Sequence, residues 1–419
     1  MSITKNYRIR GRGLCAHRYA THALKRQLEP TNKDLKKLTS LLAVTLLVAT
    51  IASVARAQDP SFQSIQSSGA IEYPSDGIPR VTVSGTNFIV NGQPFIFRGV
   101  NIEFPVLAAH YYGSPFPSLS DATFNLLKSW NVNIIRVWLN IEMASPSYGT
   151  WTSAFFTAVD TLIDLAEAHN IYILLSVSHS YNLALKYGGA GLPNWMFDSA
   201  SSDQYASDGG WATLYKAVVT EDPALVQVTS AIREYYHRIA TYSKDRNIVM
   251  GYDLFNEPEF RRTTGYDNSS ATRFYEKLAT WILEIDAAKP ICVENNFMST
   301  TKPDIPNLFS SPHTYITQNA GDSVTTIKNR LVGYNGIGSY NTWGVPVLSG
   351  EWWGPLIGDG NPSFSESTAV QQTINFCIAL DQLGWSSTIC RHEAQIPNLH
   401  PTDSVEDVYF DYFSENQQV

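Results

Sequence analysis

Cysteine is scarce in this chain, with four among 419 residues, and no two of them stand at the C-x-x-C spacing of a thiolate metal site. A disulfide-dense scaffold is excluded on the same ground. Histidine does not fill the gap, because His392-Glu393 lacks the second histidine of a zinc-binding helix. There is no glycine-rich phosphate loop, internal repeat or low-complexity stretch. Neither a metal nor an organic cofactor is implied. Cys15 lies in the leader described below, which leaves Cys292, Cys377 and Cys390, enough for one bridge at most. Cys377 with Cys390 is the candidate pair, and Cys292, inside an apolar run, reads as a small buried hydrophobe.

Positive charge is also scarce over most of the chain. Residues 1–57 hold eleven Lys and Arg against Glu29 and Asp34, a net of +9, whereas residues 58–419 hold 19 basic and 36 acidic residues, a net of −17. A body of that sign has no basic surface to displace counterions from phosphates, which argues against nucleic acid as a partner. A neutral polysaccharide is compatible with it. The basic leader runs through Lys33, Lys36 and Lys37 into Leu38 to Val54, an uncharged stretch, and then Ala55-Arg56-Ala57. That order is that of a secretory signal cleaved after Ala57, giving a secreted protein. An uncleaved membrane anchor at residues 38–54 is the alternative. The domain plan is therefore leader 1–57, a Ser- and Pro-containing linker 58–79, and a catalytic domain 80–419.

What is present is apolar and aromatic: 44% hydrophobic residues with 10 Trp and 22 Tyr, enough for a large core. Val81 to Val83 and Phe88 to Val90 read as a β-hairpin closing the floor of the domain, with a turn at Asn91-Gly92. Eight strand-like runs follow: Phe95–Val100, Val132–Leu139, Ile171–Val177, Ile248–Phe255, Ile291–Val293, Leu308–Tyr315, Val345–Leu348 and Trp385–Cys390. Between most of them apolar residues recur at helical spacing, as in Phe155, Val159, Leu162, Ile163 and Ala166, or Phe274, Leu278, Trp281, Ile282 and Ile285. Strands alternating with helices predict an α/β fold, a (β/α)8 TIM barrel. The helix of the fifth unit is weakly signalled. The third unit is long, with an insertion over 180–222 whose Tyr181, Tyr187, Trp195, Tyr205 and Trp211 could wall a cleft or pack on one another. Val405 to Phe413 reads as a closing helix.

Two acids end strand-like runs in a telling way. Asn256-Glu257-Pro258 closes the fourth run and Glu351 follows the seventh, 94 residues later. A barrel of roughly 250 residues has about 31 per unit, so the two carboxyls stand close to three strands apart, on one mouth. Glu103 and Glu294 also end apolar runs, so position alone does not single out the pair. Cleaving an acetal with retention needs a proton donor and a nucleophilic carboxylate about 5 Å apart. Arg136, ending the second strand, would hold a nearby carboxylate ionised, and Tyr315, ending the sixth beside Glu351's strand, could donate to it. That assigns Glu351 as nucleophile and Glu257 as acid and then base.

Asn91-Gly92-Gln93-Pro94-Phe95 leading to Arg98-Gly99-Val100-Asn101, then Arg136-Val137-Trp138, Asn256-Glu257-Pro258, His313-Thr314-Tyr315 and Ser349-Gly350-Glu351 together resemble glycoside hydrolase family 5 over roughly residues 88–390. The resemblance implies that Asn256 holds the sugar 2-hydroxyl, that Glu257 is the acid/base and Glu351 the nucleophile. It also implies that Arg136, His313 and Tyr315 orient these carboxylates and that His179 lines the −1 site. The eighth run lacks a tryptophan at its fifth position, where the family often has its −1 platform. Either Trp385 or one of Trp352 and Trp353 replaces it, or that subsite is built differently. The expected function is a retaining endo-β-glycanase acting on a polysaccharide or oligosaccharide, first β-1,4-glucan, then mannan or another β-glucan. A catalytically silent glycan-binding barrel is the alternative of another class.

Overall fold

The structure, a computed structural model, describes residues 77–103, 119–177, 193, 195, 213–258, 268–294, 301–315, 321–333, 343–352 and 366–389. All belong to the unit spanning residues 68–419. The leader, the apolar stretch 38–54, most of the insertion, Cys390 and the proposed closing helix at 405–413 lie outside the described residues.

Three short strands, β1 (Thr82–Ser84), β2 (Asn87–Val90) and β3 (Gln93–Phe95), form an antiparallel sheet in chain order. The predicted hairpin is therefore a meander. The turn between β2 and β3 places Asn91 and Gly92 both at positive φ, the requirement of a two-residue primed turn. This sheet covers the floor of the next one through its aromatic residues. Phe88 meets Phe97 and Phe309 edge-on at centroid distances of 5.3 and 5.1 Å, and Tyr172 donates to the Pro79 carbonyl at 2.9 Å.

Eight parallel strands follow: β4 (Arg98–Glu103), β5 (Ile134–Trp138), β6 (Tyr172–Ser176), β7 (Val249–Asp253), β8 (Ile291–Val293), β9 (Leu308–Ser310), β10 (Leu348–Ser349) and β11 (Ser386–Ile389). Each overlaps one of the eight predicted runs, although β4 runs three residues past the first of them, whose Phe95 belongs to β3, and β10 shares Leu348 alone with the seventh. They pair in chain order from β4 to β9, with β10 and β11 completing the circuit back to β4. Parallel bridges Ser310–Val347 and His313–Glu351 join the β9 and β10 segments, so the sheet closes into a (β/α)8 barrel. Strands β5, β6 and β7 are buried at every residue, as strands covered on both faces must be.

The helices lie outside. Ser153–His169 buries Phe155, Phe156, Val159, Leu162, Ile163 and Ala166, the predicted stripe, and ends at Asn170 with φ +53°. Each large apolar side chain so buried contributes roughly 1.5–3 kcal/mol before chain entropy is set against it. Helix Val226–Ser243 follows the insertion and Asn268–Leu283 follows β7. Between β8 and β9 no helix occurs among the described residues, which agrees with the weak signal there. Cys292 and Cys377 are buried free thiols, and the partner proposed for Cys377 lies outside the described residues.

One glycine is fixed by the closeness of neighbouring strands. A Cβ on Gly99 in β4 would stand 1.7 Å from the Ile134 carbonyl oxygen of β5. The obstacle is backbone, which cannot swing away, so Gly99→Ala is expected to cost about 3 kcal/mol, at the upper end for overpacking, read as a lower denaturation midpoint in urea.

Candidate active site

Parallel register brings the polar residues together. Asn101 of β4 pairs with Arg136 of β5, and His313 beyond β9 pairs with Glu351 beyond β10. These positions lie toward the C-terminal ends of their strands, the end at which a barrel of this kind carries its loops. Asn101 also ties the ring shut there, donating to the Gly350 carbonyl at 2.8 Å beside Thr388, whose hydroxyl donates to the same oxygen at 2.6 Å.

Arg136 is fully buried and its fork is shared among five acceptors. Nε and Nη2 donate to Asp253 Oδ2 at 2.8 and 2.5 Å. Nη1 donates to Asn101 Oδ1 and to Glu351 Oε1, both at 2.9 Å. Nη2 reaches Asn256 Oδ1 at 2.7 Å and Glu294 Oε1 at 2.8 Å. Burial alone would lower the pKa of this guanidinium, but Asp253, then Glu351 and Glu294, raise it well above its ordinary value. It is a fixed positive charge at neutral pH.

Glu351 receives a second donor, the Tyr315 hydroxyl on Oε2 at 2.6 Å. The two donors place a positive charge and a hydroxyl dipole on opposite oxygens of one carboxylate. Glu257 is the more exposed of the two acids, with 26% of its side chain accessible, and its Oε1 lies 2.7 Å from His313 Nδ1. One carboxylate oxygen of Glu257, one of Glu351 and a ring nitrogen of His313 all lie within 4.8 Å of one another. Oxygens of the two acids that close suit the short separation of a retaining pair, about 5–5.5 Å between carboxyls, better than the roughly 6.5–9.5 Å of an inverting pair.

His313 sits among three acids. Its Nδ1 faces Glu257 at 2.7 Å and Glu351 at 3.4 Å, while Nε2 lies 3.0 Å from Glu294 Oε1. Burial lowers its pKa, and Glu294, Glu351 and the bond to Glu257 outweigh that effect and hold it well above the usual histidine range. Glu294 is driven the other way from most carboxylates: burial first, then Asp253, raise its pKa against the pull of His313 and Arg136.

The structure thus brings together Arg136, Asn256, Glu257, His313, Tyr315 and Glu351. His179 and Trp353 lie outside the described residues. Trp385 is placed elsewhere: it precedes β11, is 4% exposed, and its carbonyl accepts from Arg98 at 2.6 Å on the floor side of the barrel. The expectation that it contacts sugar is corrected, because the first residue of a parallel barrel strand lies at the end opposite the mouth. Trp352 is also no platform, being fully buried and stacked on Phe376 at 4.3 Å. Asn101, Asp253 and Glu294 join the site through Arg136 with no role legible in the sequence, although Glu294 ends an apolar run.

The cellulase family (glycosyl hydrolase family 5) matches residues 88–388, which include every strand of the barrel but part of β11. The chain belongs to glycoside hydrolase family 5. Among curated family 5 relatives, mannan endo-1,4-beta-mannosidase 5 of Solanum lycopersicum is 22% identical over 212 residues, 49% of this chain and 48% of its own length. The chain thus spans about half the length of the curated relatives it matches first. Among solved structures an endogalactoceramidase superposes with a TM-score of 0.58 at 17% identity, covering 74% of each chain. A β-glucanase from Saccharophagus degradans in complex with cellotetraose superposes with a TM-score of 0.56 at 17% identity, covering 83% of this chain and 98% of its own. At that identity these two likenesses concern the fold.

Proposed function

We propose that the chain is a retaining endo-β-glycosidase acting on a β-1,4-linked glycan by double displacement. The observation that carries this is the approach of Glu257 and Glu351 to within 4.8 Å across the barrel mouth, with different neighbours on each. In the first step a Glu351 oxygen, its charge held by Arg136 and Tyr315, bonds to the anomeric carbon. The glycosidic C–O bond breaks and Glu257 gives its proton to the departing oxygen. In the second, Glu257, now a carboxylate, takes a proton from water as that water displaces Glu351 from the anomeric carbon. Two inversions give net retention. Asn256 offers its amide to the sugar while its Oδ1 is occupied by Arg136, which fixes the orientation of the amide group. No other component is required by these steps.

The substrate is proposed as a class. β-1,4-Glucan is the expectation from the sequence, and the curated mannanase relative supports mannan beside it. A second reading, a glycosphingolipid headgroup, follows a curated relative, an endoglycoceramidase of Cyanea nozakii 21% identical over 199 residues. Carboxymethylcellulose, mannan, glucomannan, an aryl β-cellobioside and a β-glycosyl ceramide form the panel that separates them. Turnover of one or more is expected, and binding without turnover across the whole panel would support the silent barrel instead. Secretion is proposed from residues 1–57 alone, and N-terminal sequencing of exported protein should begin at Gln58. Among the described residues no helix is long and apolar enough to cross a membrane.

Glu257→Ala should lower kcat/KM on an unactivated glycoside by about 10³-fold, within the range for a general acid, and kcat/KM much less on a dinitrophenyl glycoside, whose leaving group needs no proton. Steady-state rates on the two substrates check this.

A further inference from the structure

Glu257 occupies an unfavourable backbone position. Its φ is +49°, in the left-handed region that crowds the Cβ of a non-glycine residue, and it precedes Pro258, whose ring further narrows the conformations open to it. Such strain persists only where neighbours over-determine the conformation. The Glu257 N–H donates to Glu294 Oε2 at 2.5 Å. The other oxygen of that carboxyl accepts from Arg136 Nη2 at 2.8 Å and lies 3.0 Å from His313 Nε2. The opposite ring nitrogen of His313 meets Glu257 Oε1 at 2.7 Å. Glu294 is itself fixed: its side chain is wholly buried, and its own N–H donates to the Tyr275 hydroxyl at 3.3 Å, which in turn donates to the Phe255 carbonyl at 2.7 Å.

We propose that Glu294 is the positioning residue of the acid/base: it holds Glu257 at both ends, directly at the backbone N–H and through His313 at the carboxylate. This rests on the assignment of Glu257 as the proton donor. Glu294 is 0% exposed, so it acts through other residues rather than on sugar. The nucleophile keeps its own two donors, Arg136 on one oxygen and Tyr315 on the other, and without Glu294 the Arg136 guanidinium is still held by Asp253 and Asn101. Loss of Glu294 therefore impairs proton donation more than nucleophilic attack.

The test is the leaving-group dependence of Glu294→Ala and Glu294→Gln, with active sites counted by trapping with a 2-deoxy-2-fluoro glycoside that carries a dinitrophenyl leaving group. Per trapped site, Glu294→Ala is expected to lose about 10²-fold in kcat/KM on a phenyl glycoside and less than about threefold in kcat/KM on the dinitrophenyl glycoside, because kcat/KM reports the first displacement alone. Glu294→Gln keeps an oxygen that can accept the Glu257 N–H and should recover a large part of the phenyl glycoside rate. An equal loss in kcat/KM on both substrates, in either variant, would overturn the proposal, as would full activity of Glu294→Ala on the phenyl glycoside. If Glu294→Ala does not fold, Glu294→Gln alone decides, by whether any loss it shows is confined to the phenyl glycoside. A wild-type protein without turnover, or a Glu257→Ala variant without leaving-group dependence, would instead reject the assignment on which the proposal rests.

Discussion

Glu351→Gly is expected to abolish hydrolysis, with a loss on the order of 10⁵-fold in kcat, the scale seen when the nucleophile of a coupled catalytic set is removed. The fold should survive. Glu351 lies at the open end of the barrel and is 5% exposed, and its removal relieves Arg136 of one of several carboxylate partners. Azide at high concentration should then restore turnover of an activated aryl β-glycoside, because the small anion enters the space left by the carboxylate and bonds to the anomeric carbon from the same face. The product is the α-glycosyl azide, identified by the anomeric coupling in its NMR spectrum. A β-azide would show that the wrong acid had been removed. Unchanged hydrolysis in the variant would remove Glu351 from the chemistry altogether.

Arg136→Met is expected to have the largest effect on stability, about 3–5 kcal/mol, the cost of leaving buried charge uncompensated. The guanidinium is the shared partner of Asp253, Glu351 and Glu294, at 2.5, 2.9 and 2.8 Å, and methionine fills its volume without its charge or its five donors. Lysine would be a poor substitute, since one ammonium cannot reproduce a planar fork spread over several strands. Asp253→Asn added to Arg136→Met should recover part of the stability, because one fewer carboxylate is then buried without a cation. Activity should stay lost, because Glu351 still lacks its donor. Denaturant midpoints and rates for the four members of this double-mutant cycle give the coupling directly. Additive stability effects for Arg136 and Asp253 would contradict a shared buried network.

Much of this molecule is legible in its sequence, and the reason is periodicity. A parallel barrel strand is apolar on both faces, so each of the eight appears as an unbroken run, and the intervening helices announce themselves by spacing, as Phe155 to Ala166 does. Position along a run also separates mouth from floor, which is why Arg136 and the stretch ending at Glu257 were found together at one end. Trp385 follows that same polarity: it immediately precedes β11, and its carbonyl meets Arg98 at the floor end of the barrel. Trp352 follows Glu351 directly, yet it points to Phe376 and away from the mouth, a direction that residue order alone does not reveal. The roles of Asn101, Asp253 and Glu294 were not visible because they arise from lateral register. Each is an ordinary polar residue at or near the end of a strand until the closed sheet sets it against Arg136. Glu294 had a signal, a charged residue ending the apolar Ile291–Val293, but three other acids shared it. What distinguishes Glu294 is the backbone strain at Glu257, and φ is not written in the sequence.

The central claim is that two carboxylates at the barrel mouth cleave a β-glycosidic bond in two displacements. It is tested most directly by following the first seconds of hydrolysis of a β-glycoside by proton NMR, before mutarotation mixes the anomers. The β-anomer should appear first and the α-anomer only later, at the rate of spontaneous mutarotation. Initial release of the α-anomer would mean a single displacement by water, and the assignment of Glu351 as nucleophile would be wrong.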